Sequence, residues 1–360
     1  MLEKILLVVA SLFVVYFVVD FCFFQKQQKR PVYQQRLING LLLAGILLSF
    51  YFAIAAMTPY LFIQIVLLNI VEMCVLILAT TGIVLIFKTS VTTNFAQGTM
   101  ATVGAFSAAK LIIYLTANTG YPMATKLILA MLFSAFISFL IGLFVDTVIF
   151  RHSRYANPVG KQMITMGLVL VLLGLMPILF GLLPLTIEAF SYDTQIFTIG
   201  QNIFVVPNHN LYALAITVAM LVVLFLALRF TKWGLGVRAT ASNETVAGMM
   251  GVNTKLITAM SWAIAGAFGG VAAFLFAPVG SSVTVSFMTP VQVNAFLASV
   301  LGGFSTFGGP LVGAVLINLF QTVASFFNSV WTNVIVYVLI LFLVLAKPLG
   351  LFGKKTAKKV

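Results

Sequence analysis

Residues 236–255 read GVRATASNETVAGMMGVNTK and form a polar stretch, rich in small residues, in a largely apolar chain. Strongly apolar segments lie on either side of it, at 211–229 and 257–277. Each neighbour has about the 20 residues that a helix needs to cross the hydrocarbon core of a bilayer. The stretch therefore predicts a short polar segment between two membrane spans, which is an arrangement typical of a helical membrane protein.

The composition of the whole chain agrees with this interpretation. Of its 360 residues, 62% are hydrophobic and only 8% are charged, whereas about a quarter of the residues in a soluble domain are charged. So few polar side chains cannot cover a water-facing surface. The predicted fold is an all-α, polytopic transmembrane helical bundle.

Apolar runs of sufficient length predict about nine spans. They lie at 5–24, 38–57, 61–87, 93–118, 127–150, 162–185, 211–229, 257–277 and 331–346. A further apolar region, 291–326, has two short halves separated by FSTFGG, with Gly302 and Gly303 close by. We expect a re-entrant or broken hairpin there, buried in protein or lining a wet cavity. Two short tilted spans are the alternative.

The basic residues predict the orientation of these spans. Most of the 20 Lys and Arg residues lie in alternate short loops and in the C-terminal tail. Loops with excess positive charge face the cytoplasm, which places the N-terminus outside and the C-terminus inside. The net charge of +13 is thus explained by orientation and by the anionic inner leaflet rather than by nucleic acid. We expect a multi-pass membrane protein with this orientation.

Three regions follow from the pattern of spans and charges. Residues 1–37 are predicted to form an extra N-terminal span and a basic cytoplasmic loop, and the span is too long for a signal peptide. Residues 38–350 form the core, and 351–360 form a basic cytoplasmic tail. The tail departs from a phosphate-binding loop, because Lys355 occupies the place of the required Ser or Thr.

No catalytic or metal site is expected. The chain has no HExxH or GxSxG motif and no cluster of carboxylates. Its two cysteines, Cys22 and Cys74, lie in apolar runs, and their number and spacing exclude a disulfide framework or a CxxC metal site.

A short cytoplasmic helix is predicted over residues 239–250. Val246, Met249 and Met250 recur at the i, i+3 and i+4 positions of one helix face. Ser242 or Asn243 could cap its start, and Gly251 suits its end. Because such a short helix is marginal in water, it should rest either on the protein's own spans or in a groove of a partner.

The stretch SVTTNFAQGTMATVGAFSAAK, residues 90–110, is a candidate for the substrate pathway. Asn94, Gln97, Gly98 and Thr99 open an apolar segment. An unwound helix start within a bundle offers N–H groups to an anionic group such as a carboxylate. The alternative is a close-packed span with a polar cytoplasmic end.

Two ionisable residues are predicted to lie well away from the ends of their spans. Glu72 falls well inside the predicted span 61–87, and Lys110 falls inside 93–118. An ionisable group at that depth suggests a functional site. Pairing between Glu72 and Lys110 would neutralise both, and contact with substrate is the alternative. A self-sufficient secondary carrier could use this pair, but two ionisable groups give only weak support for a proton relay.

Three segments resemble the permease subunits of branched-chain amino acid ABC importers. They are TKWGLGVRATASNETVAGMMGVNTKLITAMSWAIAGAFGGVAAFL at 231–275, NFAQGTMATVGAFSAA at 94–109 and FLASVLGGFSTFGGPLVGAVL at 296–316. The resemblance extends over about 60–350 and implies a coupling helix that docks on an ATPase. The residues it assigns to that contact are Arg238, Ser242, Asn243, Glu244, Val246, Met249, Met250 and Gly251.

The resemblance also implies partners and a class of solute. It implies a second permease, homologous or identical, two separate ATPase subunits that use ATP and Mg, and an extracytoplasmic substrate-binding protein that meets the outer loops near 186–210. This chain itself would need no cofactor. Branched-chain amino acids are the default solute, with urea, amides, nucleosides and sugars as alternatives. The chain departs from the family at Thr245, where an acidic residue is common, and at Glu72, where a small residue is expected.

Overall fold

The computed structural model describes residues 58–153, 158–280, 282–304, 306–346 and 350–353. The predicted spans 5–24 and 38–57 lie outside these residues, as does most of the predicted tail. The chain divides into two compact units. In terms of described residues, the first contains 58–63 and 320–346, and the second contains 64–319 and 350–353.

Twelve α-helices and one β-hairpin make up the described residues. The helices are α1 Pro59–Leu68, α2 Ile70–Ser90, α3 Gln97–Asn118, α4 Met123–Phe144, α5 Pro158–Phe180, α6 Asn208–Phe230, α7 Lys232–Ser242, α8 Glu244–Met249, α9 Thr254–Phe276, α10 Thr289–Gly302, α11 Gly308–Phe327 and α12 Thr332–Ala346. A π-helix, Val145–Phe150, continues α4.

Seven helices in the described part of the chain are long and apolar enough to cross a membrane. They are α2, α3, α4 with its π-helix, α5, α6, α9 and α11. This bears out a polytopic helical bundle, but the predicted number of about nine spans is not confirmed. Two of those spans are outside the described residues, and the last corresponds to α12, which has only 15 residues.

The predicted span 61–87 is divided into two helices. The chain breaks between α1 and α2 at Asn69, and α2 begins at Ile70. The side chain of Asn210 donates hydrogen bonds to the carbonyl oxygens of Leu67 and Leu68, at 2.8 and 3.0 Å. These bonds satisfy carbonyl groups at the end of α1, so these groups do not need water molecules as hydrogen-bond donors. A hydropathy pattern cannot detect it, because both helices are apolar.

The predicted all-α fold is incomplete, because the loop between α5 and α6 forms a β-hairpin. Strand β1, Thr194–Ile199, pairs with the antiparallel strand β2, Asn202–Pro207. Gly200 opens the two-residue turn with φ of +65°, which suits glycine. The strands contain β-branched and aromatic residues, but each has only six residues. Average hydropathy over about 20 residues cannot detect such short strands.

The core of the second unit is built from α2, α3, α4 and α9. Helices α2 and α9 are mostly buried, whereas α5 and α6 are mostly exposed, as expected for lipid-facing helices. Small residues bring α4 and α9 together: Ser134 Oγ donates a hydrogen bond to the Gly270 carbonyl oxygen at 2.9 Å. A Cβ atom on Gly270 would lie 2.6 Å from the Ser134 carbonyl oxygen. Close approach of backbones through small residues is the usual way in which membrane helices associate.

The predicted broken region 291–326 consists of α10, a gap at 303–307, and α11. Helix α10 has 14 residues and is about 21 Å long at 1.5 Å per residue, which is short for a bilayer core. Gly303 ends it with φ of +86°. The backbone N–H groups of Leu351 and Phe352 donate to the Leu301 and Gly302 carbonyl oxygens, at 2.7 and 3.2 Å. The segment after the last helix therefore caps the end of α10.

Candidate functional site

The start of α3 lies at the middle of the neighbouring spans. Gln97 Nε2 donates a hydrogen bond to the Ala265 carbonyl oxygen of α9 at 2.6 Å. A Cβ atom on either Gly82 of α2 or Gly269 of α9 would lie 2.9 Å from the same Nε2 atom. Both glycines lie within the interior of their helices. The Gln97 side chain thus occupies a slot between two spans, and α3 begins inside the bundle.

The segment between α2 and α3 leaves helical geometry, and local hydrogen bonds satisfy its Asn94 side chain, whereas the buried Thr93 hydroxyl has no hydrogen-bond partner among the described residues. Val91 ends α2 in a left-handed conformation, with φ of 50°. Asn94 Oδ1 accepts a hydrogen bond from the Ala96 N–H at 2.9 Å, and Asn94 Nδ2 donates to Gln97 Oε1 at 3.1 Å. Thr99 Oγ1 donates to the Ala96 carbonyl oxygen at 2.9 Å. Non-helical backbone at this depth must be buried in protein or line a cavity.

Gln292 of α10 joins this segment to the other broken region. Its Oε1 atom accepts a hydrogen bond from the Gly98 N–H at 2.7 Å, and its Nε2 atom donates to the Asn94 carbonyl oxygen at 3.1 Å. A Cβ atom on Gly98 would lie 3.0 Å from both the Met288 carbonyl oxygen and the Gln292 Cβ. The starts of α3 and α10 therefore meet within the bundle.

This arrangement changes one expectation about the start of α3. The N–H group of Gly98 is bonded to Gln292 and is therefore not available to an anionic solute. Asn94, Gln97, Gly98 and Thr99 lie together and are all buried. Contact between this cluster and a solute stays a prediction, and it would require the Gln292 contact to open.

Gly302 and Gly303 lie at the opposite end of α10 from Gln292. A Cβ atom on Gly302 would lie 2.5 Å from the Pro310 nitrogen, so the glycine permits the tight packing of α10 on the start of α11. Phe304 contacts Phe87 at the end of α2, with ring centroids 4.2 Å apart. The predicted pathway residues thus form two groups, one at the start of α3 and one near the end of α2.

Glu72 belongs to neither group. It lies in the first turn of α2 and its side chain is exposed. The helix that carries Glu72 begins at Ile70 and not near residue 61, and the depth of Glu72 within the membrane stays a prediction. Glu72 and Lys110 are on different helices and form no ion pair in the structure. A role of either residue in solute contact stays a prediction.

The polar stretch that opened the sequence analysis forms two helices. Asn243 separates α7 from α8 and caps α8: its Oδ1 atom accepts a hydrogen bond from the Val246 N–H at 3.0 Å. Arg238 and Ser242 belong to α7, so the single helix predicted over 239–250 is divided at Asn243. Gly251 follows α8 with φ of +85°, which favours glycine.

Helix α8 presents an apolar face that the described part of the chain does not cover. Met249 and Met250 are each 80% exposed and Val246 is 52% exposed, whereas Ala247 is buried. Helix α7 is held against the spans by close contacts of Gly234 and Gly236, and a Cβ atom on Gly236 would lie 3.1 Å from Ile257 Cγ1 of α9. The two short helices are therefore attached to the ends of α6 and α9.

A buried carboxylate lies near these short helices. Asp146, in the π-helix that extends α4, is buried, and its Oδ2 atom accepts a hydrogen bond from Thr258 Oγ1 of α9 at 3.4 Å. Asp146 could not be selected from the sequence, because nothing adjacent in sequence marks it. Gln292 was missed for the same reason, since its partners in the segment 94–98 lie far away along the chain.

Comparison with known proteins identifies the family. The family described as "Branched-chain amino acid transport system / permease component" matches residues 65–345. That match includes every helix from α2 to α11. The chain belongs to this permease family. The resemblance inferred from three short segments is thereby confirmed.

Individual relatives of this permease are distant. LivH of Escherichia coli K12, named a high-affinity branched-chain amino acid transport system permease protein, is 24% identical over 146 residues, covering 40% of this chain and 47% of LivH. A probable LivH of Methanocaldococcus jannaschii is 26% identical over 146 residues, covering 38% and 46%. BraD of Pseudomonas aeruginosa is 26% identical over 131 residues, covering 36% and 43%. The chain spans about half the length of the curated relatives it matches.

No solved structure matches the permease. Within the described residues, no group of three or more His, Cys, Asp or Glu side chains could hold a metal ion.

Proposed function

We propose that this chain is the transmembrane permease subunit of an ATP-driven importer for branched-chain or related amino acids. Membership of the permease family and the seven apolar helices support this role. The named relatives transport branched-chain amino acids according to their descriptions. Urea, amides, nucleosides or sugars would give the same role with another solute.

The observation that carries the proposal is the uncovered face of α8. Met249, Met250 and Val246 are exposed on a short helix between the spans α6 and α9. An exposed methionine-containing face suits a groove on another protein. We propose that α7 and α8 receive movement from an ATPase subunit through Arg238, Ser242, Asn243, Glu244, Val246, Met249, Met250 and Gly251.

The proposed pathway passes the meeting point of α3 and α10. Helices that begin within the bundle are typical of transporter binding sites. Movement of α10 against α3 would break the two Gln292 hydrogen bonds and release the N–H of Gly98. Alternating access needs two such states with different affinity for the solute. Asn94, Gln97, Thr99, Gly302 and Gly303 would then line the route, with Glu72 near one of its ends.

The proposed assembly contains a second permease, two ATPase subunits that bind ATP and Mg, and an extracytoplasmic substrate-binding protein. The exposed helices α5 and α6 would face lipid. We place the protein in the bacterial cytoplasmic membrane with its N-terminus outside, and α7, α8 and the C-terminus in the cytoplasm.

Reconstitution into liposomes tests this function. Vesicles that contain the permeases, the ATPases and the substrate-binding protein should accumulate radiolabelled leucine when ATP is supplied on the cytoplasmic side. Vesicles that contain the permeases without ATPases should not. Solute accumulation by the permeases alone, driven by an ion gradient, would reject the proposal in favour of a secondary carrier.

A further inference from the structure

The outer edge of β1 has unpaired backbone groups. In an antiparallel pair, directly opposed residues alternate between hydrogen-bonded and non-hydrogen-bonded pairs. The N–H and carbonyl oxygen of Val205 bond to the Gln64 side chain, at 3.0 and 2.9 Å, so they point away from β1. Its partner Ile196 must therefore point its own N–H and carbonyl groups away from β2.

The same alternation fixes the neighbouring residues of β1. Thr194 and Thr198 lie two positions from Ile196 and share its direction. Pro207, which has no N–H group, lies opposite Thr194, as a non-hydrogen-bonded pair allows. No hydrogen bond joins the backbones of Thr194, Ile196 or Thr198 to a described residue outside the hairpin. The two edges of the hairpin thus differ: Gln64 bonds to the β2 edge, and the β1 edge is open.

The sequence of β1 offers no protection of this edge. Natural proteins guard open edges with Lys, Pro, bulges or a covering element. Strand β1 reads TQIFTI, without a charge or proline, and all of its residues are exposed. Ile196 is 65% exposed. A neutral, β-prone and uncovered edge is a surface on which another strand can add.

The charge around the hairpin indicates what kind of strand would add. Segment 181–207 contains Glu188 and Asp193 but no Lys or Arg, in a chain with net charge +13. Both acidic side chains are exposed. An anionic membrane surface would be repelled by these carboxylates, whereas a protein segment with basic side chains would be attracted. Lipid headgroups also cannot supply the alternating donors and acceptors of a strand.

We propose that the β1 edge binds an extended segment of the extracytoplasmic substrate-binding protein by strand addition. The backbones of Thr194, Ile196 and Thr198 form the new ladder, and basic side chains of the partner lie near Glu188 and Asp193. This inference rests on the proposed function, which supplies the partner and places the hairpin outside the cell. It adds the mode of contact and the charge of the partner.

Hydrogen exchange on the unmodified complex tests the proposal. The permease–ATPase complex in nanodiscs is measured with and without the binding protein, with fragmentation that resolves single amides. The Ile196 and Thr198 amides should exchange at least about tenfold more slowly when the binding protein is bound. The amides of Phe197 and Ile199, which point toward β2, are the internal control and should change little.

A matched pair of variants separates the backbone from the side chain. Ile196→Pro removes an outward N–H and leaves the bonds to β2 intact, as an edge position allows. It should weaken binding of the binding protein about tenfold, whereas Ile196→Thr keeps the N–H and should change the Kd by less than about threefold. Unchanged basal ATPase activity of both complexes would show that they are folded.

The outcomes distinguish this inference from the function on which it rests. If the wild-type complex binds the binding protein but the Ile196 and Thr198 amides stay unprotected, strand addition is wrong and the importer proposal stands. If those amides are already protected without the binding protein, another copy of the chain covers the edge, and strand addition of the binding protein is again wrong. If the wild-type complex binds no binding protein, the proposed function itself fails.

Discussion

At the scale of single residues, two glutamines hold the start of α3 in the bundle: Gln97 bonds to α9, and Gln292 bonds the start of α3 to α10. Gln97 fits between α2 and α9 only because Gly82 and Gly269 have no side chain. Gln292 satisfies one donor and one acceptor at the start of α3. Buried polar groups that lose their partners cost free energy, so both glutamines should affect stability as well as transport.

The Gly269→Ala substitution should destabilise the permease. Its Cβ atom would lie 2.9 Å from Gln97 Nε2, which forces the amide away from Ala265. We expect a loss of about 1–3 kcal/mol in the free energy of unfolding, measured as a lower thermal transition of the detergent-purified complex. Gly174→Ala in α5 is the matched control, because its Cβ atom would meet no atom within 4 Å. An equal fall in the thermal transition of both variants would contradict the placement of the Gln97 side chain between α2 and α9.

The Gln292→Leu substitution should leave the Gly98 N–H and the Asn94 carbonyl oxygen without their partner. This loss should cost about 1–3 kcal/mol for each buried group and lower the thermal transition. Val293→Leu, at the adjacent exposed position, should leave that transition unchanged. A Gln292→Leu permease as stable as the wild type would show that these hydrogen bonds contribute little to the packing of α10 on α3.

At the scale of elements, the sequence predicted the apolar helices well and their breaks poorly. Hydropathy located α3, α6 and α9 within a few residues, because long apolar runs in a membrane protein have few other possible structures. It missed the division at Asn69, the hairpin and the division at Asn243. Each of these depends on local hydrogen bonds or on short elements rather than on average hydropathy. Gln292 and Asp146 were missed because their partners are distant in sequence.

The cap of α8 gives a prediction at this scale. Asn243→Ala removes the side chain that accepts from the Val246 N–H, which should destabilise the start of α8 by about 0.5–2 kcal/mol. Because α8 carries the proposed coupling face, ATP-driven uptake should fall while membrane insertion is retained. Asn243→Asp keeps the acceptor and should restore uptake. Loss of uptake in both variants would indicate that the amide itself, and not the cap, is required.

At the scale of the whole molecule, the account assigns opposite sides of the membrane to two features. Helix α8 should be cytoplasmic, and the hairpin should be outside. In inside-out and right-side-out vesicles of a variant without its native cysteines, Met249→Cys should react with an impermeant maleimide only from the cytoplasmic side. Ile196→Cys should react only from the opposite side. Labelling of both positions from one side would contradict the orientation.

We propose that the exposed face of α8 joins this permease to an ATPase. Co-purification of the ATPase with the assembled permease tests it most directly. Met249→Asp places a charge on the face and should reduce ATPase recovery at least about tenfold. Thr245→Asp adds the same charge at an exposed neighbouring position outside this face and should retain the ATPase. Full ATPase recovery with Met249→Asp would contradict the account.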